Sequence, residues 1–177
     1  MPIDLNIFCS KAEHSKSRFG VPWSEGAFSY ASDGAILIRV CRLPDIPENK
    51  FAPSLLNDKN ITGVLNMVVY TWFPVPDITP ENKTCVCCGG MKPYCDECDW
   101  TGYIEKKTIV EIEGVFFNNK YFRTILTLTE AEMALIGKAG APAKFKFNGG
   151  DGLLMPMLAP GRYSDVKIVI VNNKGKQ

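Results

Sequence analysis

Histidine is almost missing from this chain: His14 is the only copy among 177 residues. It sits in the polar stretch KAEHSKS, which reads as solvated surface. One such imidazole cannot assemble a Ser–His–Asp or Cys–His nucleophile system. Neither GxxxxGK followed by Ser or Thr, nor GxGxxG, occurs, so the two common phosphate-cradling loops are absent. No apolar run reaches the roughly 18 residues of a membrane-spanning helix. The start, MPIDLNIFCSK, has no basic segment leading into a long apolar run, so no secretory signal is expected and the reducing cytoplasm is the expected compartment. Charge excess is missing too. The chain carries 20 basic and 19 acidic residues, net +1, which announces neither a basic nucleic-acid binder nor an acidic tail.

The sequence does have ordinary globular content, with 46% hydrophobic and 22% charged residues. That suits one domain with a real core and room for a small insert. Residues 26–40, GAFSYASDGAILIRV, read as two strands around Ser32-Asp33-Gly34, with Ile36, Ile38 and Val40 on one face and Arg39 on the other. Residues 43–80 are rich in proline and read as an irregular connection with a short helix after Pro53 and a strand over Leu65 to Trp72. Lys107 to Phe117 reads as one strand, and Asn118 or Asn119 as the N-cap of a helix reaching Leu128. Tyr121, Phe122, Ile125 and Leu126 give that helix an apolar stripe. Further strands are expected over 132–138, 143–148 (Phe145 and Phe147 inward), 153–158 and 166–171, with a turn at 148–152 and a frayed tail. No internal repeat, heptad or low-complexity tract is visible.

Five of seven cysteines fall in TCVCCGGMKPYCDECDWTGY, residues 84–103. Cys85-x-x-Cys88 and Cys95-x-x-Cys98 are two tight turns, each able to aim a pair of thiolates at one ion. Zinc asks for such a tetrahedron of sulfurs. Cys87 fits the CxxC spacing less well and reads as a bystander. Cys9 and Cys41 read as small buried hydrophobes. Four cysteines close the coordination shell, so the expected zinc is structural rather than catalytic, with an iron–sulfur cluster or a thiol-redox pair as the alternatives. Tyr94, Trp100 and Tyr103 lie beside the turns and could anchor a protein partner or pack the knuckle itself. Glu111 and Glu113 are the one carboxylate pair available for metal or acid–base chemistry, and a solvent-facing sheet explains them as well.

Three segments resemble parts of the bacterial DNA sliding-clamp family. Residues 30–39, YASDGAILIR, resemble its strand–turn–strand "ATDG". Residues 116–126, FFNNKYFRTIL, resemble its "N-x-x-Y-L-x-x-x-L" helix entry. Residues 147–157, FNGGDGLLMPM, resemble its closing strand, with Leu158 where the family has arginine. The cysteine stretch is similar to the zinc-binding CxxCxGxG units of J-domain chaperones, with Lys92 and Trp100 in glycine positions.

The clamp resemblance implies an α+β domain of two βαβββ halves. On that reading residues 1–80 are the first half with its proline-rich connection, 81–107 an inserted zinc knuckle, and 108–177 the second half. The last segment is mildly basic, with nine basic and six acidic residues. The resemblance also implies that the 119–128 helix faces DNA, through Lys120 and Arg123. Two charges hold DNA weakly at physiological salt, so retention would need ring closure by homo-oligomerisation or a partner's help. The expected function is therefore a non-enzymatic, DNA-associated accessory protein of phage-like character. The alternatives are a protein-binding adaptor using the knuckle and, last, an enzyme using Glu111 and Glu113 or an open metal site.

Overall fold

Ile36, Ile38 and Val40 project to one side of their strand, Leu37 and Arg39 to the other, and the molecule covers both sides. The computed structural model describes residues 3–10, 19–48, 59–91, 94–137, 140–159 and 166–171; His14 and the 172–177 tail lie outside them. A 3-10 turn (Leu5–Phe8) precedes β1 (Trp23–Glu25), β2 (Phe28–Ser32) and β3 (Ile36–Cys41). Then come α1 (Lys59–Leu65), β4 (Phe73–Pro74) and the hairpin of β5 (Asn82–Thr84) with β6 (Tyr103–Glu105). The remainder is β7 (Thr108–Ile112), β8 (Val115–Asn118), α2 (Asn119–Leu126), β9 (Glu132–Leu135), β10 (Ala143–Phe147), β11 (Gly150–Leu154) and β12 (Lys167–Val171). The class is mixed, mostly β with few helices, which agrees coarsely with the expected α+β.

One antiparallel sheet runs β1-β2-β3-β11-β10-β9-β4. A second runs β12-β7-β8, with β12 parallel to β7. The large sheet contains a repeat that the sequence hides. Two three-stranded meanders, β1-β2-β3 and β9-β10-β11, join through their third strands, Ile36 opposite Leu154 and Val40 opposite Gly150. Each meander follows a short helical segment that buries a pair of side chains three apart: Leu5 and Phe8 in the first, Phe122 and Ile125 in the second. All four enter the same core, with Ile38, Phe117, Met133, Phe145 and Leu154. The opposite face of the sheet carries a smaller apolar group, in which Leu65 of α1 covers Trp23, Tyr30, Leu37 and Leu153. A Cβ at Gly152 would come 2.3 Å from the Leu37 carbonyl oxygen, so β3 and β11 can pair there only around glycine.

Several local expectations change. Leu65 ends a helix instead of starting a strand, and 66–72 has no regular structure. Its backbone is held from the side: the buried Lys144 ammonium donates to the carbonyls of Leu65 and Met67 and lies 3.5 Å from Asp151. Asp151 in turn accepts from Arg39 Nε and Nη2, each at 2.8 Å. Residues 107–117 form a hairpin rather than one strand, because Glu113 and Gly114 both take positive φ (51° and 79°) and turn the chain. β11 begins at Gly150, inside the expected turn, and ends before Pro156. Asn118 is the N-cap of α2, its side chain accepting from the Lys120 N–H at 3.1 Å. Cys41 is exposed, since strand parity puts it on the Arg39 face, away from the main core.

Candidate metal centre and knuckle surface

The β5–β6 ladder pairs Asn82 with Glu105 and Thr84 with Tyr103, closing the cysteine stretch into a loop on a two-stranded stem. Ion pairs tie the stem to the body: Glu105 to Arg123 of α2 at 2.8 Å, and Glu81 to Lys167 of β12. Lys167 and its neighbour Lys106 together hold the Glu81 carboxyl below its ordinary pKa. Within the loop the Cys85 N–H donates to the Gly102 carbonyl at 2.8 Å. Gly102 has φ 76°, and a Cβ there would lie 2.8 Å from the Gly90 oxygen. Glycine is therefore what lets the two turns close on each other.

The sulfurs of Cys85, Cys88, Cys95 and Cys98 lie within 4.8 Å of one another, and all four residues are buried. Cys85 and Cys95 sulfurs are 3.8 Å apart, as are those of Cys88 and Cys98. This cluster can hold a metal ion. Among the protein groups alone, burial pushes the Cys95 thiol up to about 12, helped by the thiols of Cys98, Cys87 and Cys85. Such a thiol is a poor nucleophile; a dication among the four sulfurs would reverse the balance by binding thiolates. Cys87 is exposed and outside the four-sulfur group.

Among the described residues Ile104 is the hydrophobic side chain packed against the four cysteines, so the described aromatics do not form a core for the loop. They face solvent: Tyr94 is 78% exposed, Trp100 63% and Tyr103 58%. Val86 and Met91, unremarked in the sequence, are also exposed; their only sequence signal is an apolar residue inside a tight turn. Tyr94 and Trp100 meet edge to face at 5.5 Å. Asp99 and Trp100 both adopt left-handed backbone (φ 46° and 64°), a costly conformation for a bulky residue. The exposed residues between Tyr94 and Trp100 in the sequence are Asp96, Glu97 and Asp99.

The other candidates are dispersed. Glu111 lies on β7, half-buried, while Glu113 sits exposed in the β7–β8 turn, so the two do not share a strand face. Among the described residues, the four-cysteine group is the one cluster suited to a metal. Lys120 lies 3.8 Å from Asp33, and Arg123 is the partner of Glu105. Each described lysine or arginine from 108 onward has an acidic partner; the others are Lys144 with Asp151, Lys146 with Glu132 and Lys167 with Glu81. Asp33 has further roles. One oxygen accepts from the N–H groups of Ala35 and Ile36, and the other accepts from Tyr121 Oη at 2.9 Å. The Ser32-Asp33-Gly34 turn and the start of α2 are thus bonded to each other. No helix among the described residues is long and apolar enough to cross a membrane. No protein-family model matches the chain, and neither curated proteins nor solved structures show a match to it.

Proposed function

We propose that this chain is a non-enzymatic accessory protein: a clamp-like α+β scaffold that holds out a zinc-stapled knuckle as a surface for a protein partner. The observation that carries this reading is the knuckle itself. Its four sulfurs are turned inward and buried, and its large apolar side chains are turned outward. A loop that spends its sulfurs on its own fold and its aromatics on solvent is arranged to be touched.

Zinc is supported by the ligand set and its spacing. Four sulfurs about 2.3 Å from a central ion form a tetrahedron with edges of about 3.8 Å, and two of the sulfur pairs stand 3.8 Å apart. The clamp-like scaffold is supported by the order β8-α2-β9-β10-β11, a βαβββ unit, and by the second helix-then-meander unit joined to it. A second reading, DNA association across α2, draws on that same order. It requires Lys120 and Arg123 to exchange Asp33 and Glu105 for phosphates.

A paired experiment separates the two. A photo-crosslinking residue at position 100 of the full chain is expected to give a discrete, metal-dependent protein adduct, while duplex DNA gives no gel shift near physiological salt. A gel shift lost in Lys120→Ala/Arg123→Ala, with no protein adduct, would install the DNA reading instead. Metal analysis is expected to find about one zinc per chain, lost in Cys95→Ser.

A further inference from the structure

We propose that the exposed knuckle residues Tyr94, Trp100 and Tyr103, with the exposed carboxylates Asp96, Glu97 and Asp99 of the same loop, dock a basic segment of a partner protein, with arginine as its preferred contact. The proposal rests on the protein-contact reading above and names the chemistry of the partner.

Charge selects the partner. Residues 84–103 contain three carboxylates and a single cation, Lys92. A zinc ion held by four thiolates would add two further negative charges, since each thiolate carries one and the ion returns two. Nucleic acid phosphates are repelled by such a surface. A second copy of the same face is repelled for the same reason, so self-association through it is disfavoured.

Shape selects arginine. Tyr94 and Trp100 flank the Asp96–Cys98 turn in sequence, their ring centroids are 5.5 Å apart, and Asp96, Glu97 and Asp99 are the exposed carboxylates of the same stretch. A guanidinium can stack on an aromatic face while its planar fork donates to a carboxylate, and an ammonium cannot do both in one plane. The body already uses the stacking half of this arrangement: Arg39 lies 4.8 Å from the Phe28 ring centroid. The apolar residues Val86 and Met91 on the same loop would accept the aliphatic parts of the docked segment. Because four buried sulfurs hold the turn, little ordering cost falls on the knuckle when a partner arrives.

The test uses the isotope-labelled, zinc-loaded full chain and four probes followed by backbone NMR: a short arginine–leucine peptide, its lysine and glutamate counterparts, and a short DNA duplex. The arginine peptide is expected to shift resonances within 84–103, to bind more tightly than the lysine peptide, and to weaken as salt rises. Trp100→Ala is expected to weaken binding about tenfold or more, and so is Tyr94→Ala, which avoids the left-handed position. Both should keep their zinc and their dispersed spectra. Asp96→Asn/Glu97→Gln/Asp99→Asn should weaken binding severalfold and flatten its salt dependence. If the glutamate peptide binds the knuckle as well as the arginine one, the basic class is overturned while the protein-contact reading stands. If no peptide shifts the knuckle, both fall. A duplex that shifts it in their place would put nucleic acid there.

Discussion

The body and the knuckle are stabilised by different means. The body buries Phe117, Phe122, Phe145 and Leu154 almost completely between a sheet and its helices. The knuckle buries four cysteines and leans Ile104 on them, while its aromatics stay in water. Apolar burial at about 25 cal/mol per Å² can sustain the first. A loop of that size with its large side chains outside has little such burial, and an ion bound by its four sulfurs would supply the missing stability. What joins the two is a short ladder and surface ion pairs, which are individually weak. The regions should therefore fail separately.

The largest expected effect follows from this separation. Stripping the metal with a chelator, or replacing Cys98 with Ser, should unfold the knuckle outright. Limited proteolysis should then cut within 84–103, while amide protection in β3, β10 and β11 stays near its starting level. If those strands lost protection in step with the knuckle, the two regions would be one cooperative unit and the comparison would break. The converse is Phe122→Ala. Removing a fully buried ring from α2 should cost about 3–5 kcal/mol of stability in denaturant unfolding, with metal content unchanged. A matching loss of bound metal would show that the scaffold, through Arg123 and Glu105, also sustains the knuckle.

How far each region is legible in the sequence follows the same division. The candidate metal ligands are local: two CxxC turns state their geometry within fourteen residues of chain, and the structure gathers those four sulfurs. Strands whose faces differ are legible as well, since the alternation of Ala143, Phe145 and Phe147 with Lys144 and Lys146 marks two faces, the first of which enters the main core. What escapes is long-range. Residues 66–72 have strand-like composition, but at their start the carbonyls of Leu65 and Met67 are taken by the Lys144 side chain, a partner nearly eighty residues away that local pattern cannot supply. The parallel pairing of β12 with β7 is equally silent in sequence. The repeated helix-and-meander unit is hidden because its first helical segment is a single 3-10 turn, with only Leu5 and Phe8 in place of the longer stripe of α2. The exposure of Trp100 is hidden too, because an aromatic beside a metal turn is as compatible with packing inward as outward.

The smallest expected effect concerns pH, and it sharpens the contrast in a different way. Tyr121 Oη is half-buried and donates to Asp33; burial first, then that carboxylate, raises its pKa above the ordinary tyrosine value. A group whose pKa is raised by folding stabilises the native state fully below its unfolded pKa, near 10, and loses that contribution as pH climbs toward the folded value. Burial raises Tyr30 in the same sense, and Cys9 from its lower starting point. The body should therefore weaken on the alkaline side, from about pH 9 upward. A zinc knuckle should weaken on the acid side instead, where protons compete for its thiolates. Tyr121→Phe tests the alkaline half. It removes the hydrogen bond to Asp33, at a cost of about 1 kcal/mol near neutrality, and it should reduce the fall in stability above pH 10 relative to the parent chain. Unfolding midpoints at several pH values would show whether the two curves converge at high pH. Parallel curves would mean that Tyr121 ionises no differently in the folded and unfolded chain, and the alkaline weakness would then belong to Tyr30 and Cys9.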